Sequence, residues 1–258
     1  MKKTLRFTSA ALTLALAAGM ALPAFAAAKP SFSKDETVYA VMAPDGSVTS
    51  TTVSAHLYNA AGLSGVTDRS TLTDIVNTES DAAFTQNGDS LTWDTTDTDV
   101  YYKGNTSRAL PVSAAVTYTL DGETAPLENL LGKSGHLTIR IDLTNNETGT
   151  VTVNGAERTV VTPFITAVGV VLGEDASNVT LEHGLLESAA KSTVAAFVTL
   201  PGVRGALSGL LPDSFSAAED YLQDSVTVEA DVENLSAPQI LLASAASAEA
   251  LGQNNVFD

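Results

Sequence analysis

Apolar and polar residues alternate along most of this chain with the period of two that is typical of half-buried β-strands. In the clearest case, every second residue from Leu137 to Leu143 is leucine or isoleucine, and the residues between them are polar. Comparable segments recur about every eight to twelve residues and are separated by turn signals such as Asn87-Gly88 and Asp121-Gly122. This pattern predicts an all-β protein, in which an Ig-like β-sandwich is preceded by a small β-meander and accompanied by one or two short helices.

The first part of the chain predicts the meander. Its most distinct element is a hairpin that turns at Pro44-Asp45-Gly46, a tripeptide typical of tight turns. Strands are expected at residues 36–42, 47–57, 83–85, 91–93 and 100–102, and residues 64–77 are expected to form a loop with a helical turn or a partial strand. The polar stretch 104–108 indicates a linker.

The second part predicts longer strands and cleaner alternation. Strands are expected at residues 112–120, 136–145, 151–153, 157–162, 164–172, 179–181, 194–200 and 226–232. A helical turn is expected at 127–132 and short helices at 202–211 and 216–222, while the alanine-rich segment 240–251 indicates a weak helix. The predicted organisation is therefore a signal peptide (1–28), a β-meander domain (29–107), a β-sandwich domain (108–240) and a weakly helical or disordered tail (241–258).

The N-terminus has the pattern of a bacterial secretory signal peptide. Lys2, Lys3 and Arg6 precede an apolar run at residues 10–22, and Ala24-Phe25-Ala26 offers small residues to a signal peptidase. The run is interrupted by polar residues and falls short of the roughly 20 apolar residues that span a bilayer. We therefore expect cleavage after Ala26 or Ala28, an extracellular or cell-envelope location, and no transmembrane anchor in the chain after cleavage.

Composition narrows the possible partners. The chain contains no cysteine, so neither a disulfide nor a lipid-modified cysteine is available to it. Without the signal peptide, 10 basic residues stand against 30 acidic ones, a net charge of −20. Such a surface repels the phosphates of nucleic acid and anionic lipid, so nucleic-acid binding is excluded.

Several short segments carry a family resemblance over most of the mature chain. They are Lys34-Asp35-Glu36-Thr37-Val38-Tyr39, Gly88-Asp89-Ser90-Leu91-Thr92-Trp93, Val100-Tyr101-Tyr102-Lys103-Gly104, Leu110-Pro111-Val112, Tyr118-Thr119-Leu120-Asp121-Gly122, Gly132-Lys133-Ser134-Gly135 and Thr159-Val160-Val161-Thr162-Pro163-Phe164. Together they resemble the β-rich N-terminal ectodomain of large membrane-anchored envelope proteins of Gram-positive bacteria, loosely grouped with phage-infection-protein-like proteins.

The resemblance implies a surface location and a modular ectodomain, and it transfers no catalytic residue. In that family, long helical segments and a membrane anchor follow the β-rich region. Here the sequence ends at Asp258 before any such region. Either a secreted stand-alone form or a piece of a longer protein is compatible with this difference.

Two weak binding sites are suggested by the residues around the only tryptophan. Asp94, Asp97 and Asp99 place three carboxylates within six residues, which predicts a possible weak Ca²⁺ site, the only cofactor suggested, with a solvated acidic turn as the alternative. Trp93, Tyr101 and Tyr102 predict an aromatic platform for a sugar or peptide, with burial in a core as the alternative.

No catalytic set emerges from the sequence, so we expect that the protein is not an enzyme. Ser188-Ala189-Ala190-Lys191 and Lys133-Ser134-Gly135 match two motifs of penicillin-binding enzymes, but they occur in the wrong order. The three histidines, His56, His136 and His183, lack the spacing of a zinc site, and Glu182 is expected on the opposite strand face from His183. Each histidine is therefore interpreted as a surface or packed residue.

Three hypotheses for the function remain. The first is a non-enzymatic binding or structural module of the cell envelope that contacts an envelope protein or a glycan. The second is a glycan- or peptidoglycan-acting enzyme on a β scaffold, with carboxylates such as Asp97 and Asp99 as acid and base. The third is a soluble partner of a membrane transporter or phage-receptor complex.

Overall fold

A computed structural model describes residues 32–153, 155–189, 191–207 and 221–246. The predicted signal peptide and residues 247–258 of the tail lie outside the described residues, as does most of the predicted helix 216–222. The strands are β1 (Ser33–Met42), β2 (Val48–Tyr58), β3 (Thr67–Arg69), β4 (Thr73–Asn77), β5 (Ala83–Asn87), β6 (Ser90–Asp94), β7 (Asp99–Asn105), β8 (Val112–Leu120), β9 (Glu123–Thr124), β10 (Gly135–Asn145), β11 (Thr148–Val153), β12 (Ala156–Val161), β13 (Phe164–Gly173), β14 (Ala176–Leu181), β15 (Leu185–Ala189), β16 (Ser192–Thr199), β17 (Ser225–Val232) and β18 (Gln239–Ala246).

Helical structure among the described residues is limited to a 3₁₀ turn at Leu127–Asn129 and one α-helical turn, α1, at Val203–Ala206. All the sheets are antiparallel, and the all-β prediction is confirmed. None of the described helices has the length and apolar character that a membrane span requires.

The described residues form two compact units that divide after Arg108. The N-terminal unit contains residues 32–43 and 47–108, and the C-terminal unit contains the turn Pro44–Gly46 together with the described residues from Ala109 onward. The hairpin β1–β2 and the alternating strand β10 occur where the pattern of apolar residues predicts them.

Five strands differ from the predictions, namely β3, β4, β7, β15 and β18. In the N-terminal unit, β7 pairs with β2 instead of following β6 in a meander, and residues 64–77 contain the two strands β3 and β4. In the C-terminal unit, residues 239–246 form β18 instead of a weak helix, and β15 was not predicted at all. β18 pairs with β13 over eight residues and packs Ile240 and Leu242 against the core, so tertiary contacts outweigh the helix propensity of its alanines.

In the N-terminal unit, two sheets enclose a small core. One sheet has the strand order β1-β2-β7-β4 and the other has the order β3-β6-β5. Alternate residues of β2, from Val53 to Leu57, face the other sheet and are buried, as are Leu91 and Trp93 of β6. The return of β7 to β2 is therefore explained by burial, because it brings Tyr102 into the same core.

A polar network lies at the edge of this core. The Asp68 side chain is 4% exposed, and it accepts hydrogen bonds from Lys34 Nζ at 3.0 Å and from Tyr102 Oη at 2.5 Å. Burial alone would lower the pKa of Lys34, but hydrogen bonds to Asp68 and Glu36 outweigh it and hold the pKa above its ordinary value. Burial and the Asp68 carboxylate raise the pKa of Tyr102. Lys34 is therefore charged at neutral pH, while Tyr102 stays protonated and donates.

The C-terminal unit is a sandwich of two larger sheets. The first has the strand order β14-β17-β10-β8-β9 and the second has the order β15-β16-β13-β18, with β11–β12 as a separate hairpin. The alternate residues Leu137, Ile139 and Ile141 of β10 lie in one buried cluster with Val168 and Val170 of β13. The core therefore lies between the two sheets, and it fixes which face of each strand points outward.

Replacing Asp68 should destabilise the N-terminal unit far more than replacing an exposed carboxylate of the same unit. In Asp68→Asn, the partly buried Lys34 ammonium loses its main counter-charge, so we expect a loss of about 3 kcal/mol in the free energy of unfolding. The control Asp89→Asn removes a carboxylate 3.9 Å from exposed Arg69 and should cost less than about 0.5 kcal/mol. Urea unfolding followed by the fluorescence of Trp93, the sole tryptophan, reports on this unit. Equal losses in the two variants would contradict a structural role of the network.

Candidate functional site

The three residues of the predicted aromatic platform do not form one. Trp93 and Tyr102 are fully buried, and their ring centroids lie 5.5 Å apart in the core of the N-terminal unit. Tyr101 points to the opposite face of β7, because successive residues of a strand alternate between faces. The platform prediction is therefore wrong for this geometry, and burial in a core is the correct alternative for Trp93 and Tyr102.

Tyr101 instead belongs to a small surface cluster. Its ring stacks on the imidazole of His56, with centroids 4.2 Å apart and planes 2° from parallel. His56 Nε2 lies 2.8 Å from Asp99 Oδ1, and its Nδ1 lies 4.0 Å from Asp35 Oδ2. Hydrogen bonds from Thr98 and His56 hold the pKa of Asp99 below its ordinary value. The cluster thus holds an ionised carboxylate beside an imidazole.

The carboxylates of the predicted Ca²⁺ site are engaged in local hydrogen bonds. Asp97 Oδ2 accepts a hydrogen bond from Thr95 Oγ1 at 2.8 Å, and Asp99 Oδ2 accepts one from Thr98 Oγ1 at 2.6 Å, while Asp94 is exposed at the end of β6. In the described part of the chain, no group of three or more histidine, cysteine, aspartate or glutamate side chains is placed to hold a metal ion. The Ca²⁺ site stays a prediction.

The other two histidines also lie beside carboxylates. His136 Nδ1 is 2.9 Å from Asp231 Oδ1, and Asn178 donates to the second oxygen of the same carboxylate at 2.8 Å. His183 and Glu182 lie in the bend between β14 and β15, where the side chains approach to 3.8 Å. The expectation that these two side chains lie on opposite faces of a strand is therefore wrong, because neither residue belongs to a strand.

The motifs of penicillin-binding enzymes are not assembled. Ser188 lies on the exposed strand β15, where its hydroxyl is 3.3 Å from Thr193 of the neighbouring strand. Ser134 accepts a hydrogen bond from the backbone N–H of Asn234 near the beginning of β10. Each serine has a local structural partner.

The sheet β15-β16-β13-β18 has an outward surface that contains hardly any polar side chains. β13, β16 and β18 contain no Asp, Glu, Lys or Arg, so both faces of these strands are largely apolar. We call the outward-pointing side of the sheet the apolar outer face. Its residues are Ile165, Ala167, Gly169, Val171, Leu185, Val194, Ala196, Val198, Leu241, Ala243 and Ala245, with Glu187, Ser192 and Gln239 at one end.

The largest side chains of this face are well exposed. Leu185 is 70% exposed, Leu241 65% and Val198 47%. A cavity of about 1090 Å³ opens beside them and is lined in part by Gly169, Ala196 and Leu241. β15 is brought into the sheet by a bend at Gly184, whose φ of +125° and proximity to the Ala196 carbonyl exclude a side chain.

The two outer faces of the sandwich differ sharply. On the sheet that contains β10, the outward residues include His136, Arg140 and Asp142, with Glu229 and Asp231 on the neighbouring strand. That face has the polar character expected of a solvated antiparallel sheet. Alternation along the strands predicts the polar face, whereas the apolar outer face is visible in the sequence only as strands that lack charge, a pattern also typical of a buried strand.

Comparisons with known proteins give no guide to the function, because no protein-family model and no curated protein matches this chain.

The pair of His136 and Asp231 should make stability depend on pH near neutrality. The hydrogen bond to Asp231 raises the pKa of His136, and hydrogen bonds from Asn178 and His136 lower the pKa of Asp231. The contribution of His136 to the free energy of unfolding is fully present below the ordinary histidine pKa of about 6.5. It is lost as the pH rises through the higher pKa of His136 in the folded protein. The aspartate contribution is lost only when the pH falls below about 4.

We therefore expect NMR titration of the imidazole to give a pKa for His136 above about 6.5 in the wild type and a lower one in Asp231→Asn. The stability difference between these two proteins should be largest between about pH 4 and pH 6.5 and should shrink at higher pH. An unchanged pKa of His136 in the variant would contradict the pairing. Asp142→Asn, on the same face but bonded to Arg140, is the control.

Proposed function

We propose that this protein is an exported, non-enzymatic module of the cell envelope that acts by contact through its β-sheets. The observation that carries the proposal is the apolar outer face, whose only charged side chain is Glu187, on a chain with a net charge of −17. The largest contiguous apolar patch on a monomeric protein covers about 300–600 Å² and is often a binding surface. The N-terminal signal pattern and the resemblance to envelope ectodomains support the location.

The titratable groups favour a structural role over a catalytic one. A glycan-cleaving enzyme needs a carboxylic acid with a raised pKa opposite a second carboxylate. Among the described residues, the carboxyl groups with shifted pKa values are Asp99, Asp175 and Asp231, and all three pKa values are lowered. Each is held ionised by hydrogen bonds from neighbouring side chains or the backbone, which suits a structural anchor better than a proton donor.

Export can be tested with one substitution in the signal. Ala26 lies at the last position before the first expected cleavage site and at the third position before the second, so Ala26→Asp should block both. Ala27→Asp, which changes neither critical position of the first site, is the matched control. In a Gram-positive host, we expect wild type and Ala27→Asp outside the membrane and shortened by 26 or 28 residues, as shown by N-terminal sequencing. Full-length protein in the cytoplasm in all three cases would contradict export.

The enzyme alternative predicts a different result with cell walls. Mature protein incubated with dye-labelled walls should release no more dye than buffer does. Release that disappears in Asp97→Asn or Asp99→Asn would overturn the proposal in favour of a wall hydrolase.

A further inference from the structure

The composition of β13, β16 and β18 is that of strands buried on both faces. Strands covered on one side alternate between apolar and polar residues, whereas strands covered on both sides form nearly continuous apolar runs. The inward face of this sheet packs into the core through residues such as Val168, Val170 and Phe197. The apolar outer face has the same uncharged character, but its largest side chains remain exposed. The composition of these strands is thus suited to an outward face that is covered by other protein, and the described part of the chain does not cover it.

From these observations we infer that the apolar outer face packs against the same face of a second copy of the chain, forming a two-fold symmetric dimer. This inference rests on the proposed function, since it names the partner of the contact surface. In a two-fold dimer the same patch occurs on both sides of the interface, so the patch must be complementary to itself.

The arrangement of large and small side chains on the face is compatible with self-complementarity. One cross-strand row runs Leu185, Ala196, Gly169, Leu241, so two leucines on the edge strands flank two small residues on the central strands. A Cβ built on Gly169 would meet no atom within 4 Å, so the space above it is open. When two such faces stack about 10 Å apart, the open space above Gly169 can receive a leucine side chain of the other copy.

Charge favours this face over the opposite face of the sandwich. With 30 acidic against 13 basic residues, two copies that meet through an ordinary surface bring carboxylates together. The opposite face of the sandwich carries Glu229 and Asp231 among its outward residues. Glu187 is the one acidic side chain in the outward rows of the apolar outer face, and it lies at one end of the sheet. A strongly basic partner would be drawn to the acidic surfaces instead.

The size of the face also fits a dimer. The four strands contain 10, 8, 8 and 5 residues. At about 4.8 Å between strands and about 3.3 Å per residue, they cover roughly 500 Å² in projection. This is at the upper end of the apolar patches found on monomers, about 300–600 Å². A standard interface buries roughly 800 Å² of accessible surface on each partner, and the accessible surface of a face with side chains is larger than its flat projection.

The dimer is tested with the mature chain, residues 29–258, by sedimentation equilibrium from about 1 to 100 µM, a range that covers ordinary affinities. We expect the wild type to be dimeric and Leu241→Glu to be monomeric, with at least a tenfold weaker association. Because Leu241 is 65% exposed, the variant should keep the circular dichroism and melting temperature of the folded unit. Leu131→Glu, at a leucine that is 44% exposed and lies outside the face, is the control and should remain dimeric.

The absence of native cysteine allows an independent measurement. Ala167→Cys places the chain's only thiol at the centre of the face, where a two-fold axis brings the two thiols near each other. Mild oxidation should give a disulfide-linked dimer, whereas Ala61→Cys, at an exposed site in the N-terminal unit, should stay monomeric on a denaturing gel. Cross-linking at both sites to the same extent would count against a specific interface.

Two results would overturn the proposal. One is a wild type that stays monomeric throughout the concentration range. If a variant that lacks residues 247–258 then dimerises, the chain covers its own face in the wild type. The other is a dimer that Leu241→Glu leaves intact. A monomer that is exported and releases no wall material would contradict the dimer but agree with the proposed function. A dimer confined to the cytoplasm would support the dimer and contradict the proposed function.

Discussion

The packing of β10 against β13 is the contact on which the C-terminal unit depends. Leu137, Ile139 and Ile141 of one sheet share a buried cluster with Val168 and Val170 of the other. Since side chains alternate strictly along a strand, this contact decides the direction of every other residue in both strands. A slip of one residue in either strand would expose the core set, so the register is strongly specified. The pairing partners β8, β17, β16 and β18 inherit that register.

Once the inward faces are fixed, the outward faces determine what the unit can contact. On β10 the outward residues are polar and on β17 they include two carboxylates, so that side of the sandwich is solvated. On β13 they are Ile165, Ala167, Gly169 and Val171, whose side chains cannot form hydrogen bonds with water. A sandwich with one solvated side and one apolar side is an asymmetric building block. This asymmetry is the basis of our proposal that the protein acts by contact.

In the N-terminal unit, the groups most suggestive of chemistry are used for structure. The buried Asp68 carboxylate is satisfied by an ammonium and a phenol, an arrangement that compensates part of the cost of removing its charge from water. Trp93 and Tyr102 fill the core between two small sheets. His56 and Asp99 pair on the surface beside Tyr101. Each of these contacts orders a strand or a loop. Among the described residues, none of these side chains belongs to a group that could hold a metal ion.

The sequence by itself determined the all-β class, the hairpin at Pro44–Gly46 and the half-buried strand β10, because all three depend on local periodicity and turn residues. It left open whether Trp93 and Tyr102 bind a ligand or fill a core. The tertiary structure decided this by pairing β7 with β2, a contact between segments more than forty residues apart. It also made a strand of residues 239–246, because pairing with β13 and burial of Ile240 and Leu242 outweigh the local preference of alanine for helix. The apolar outer face arises in the same way. An uncharged strand looks alike whether one or both of its faces are covered, and only the position of neighbouring strands shows which face remains open.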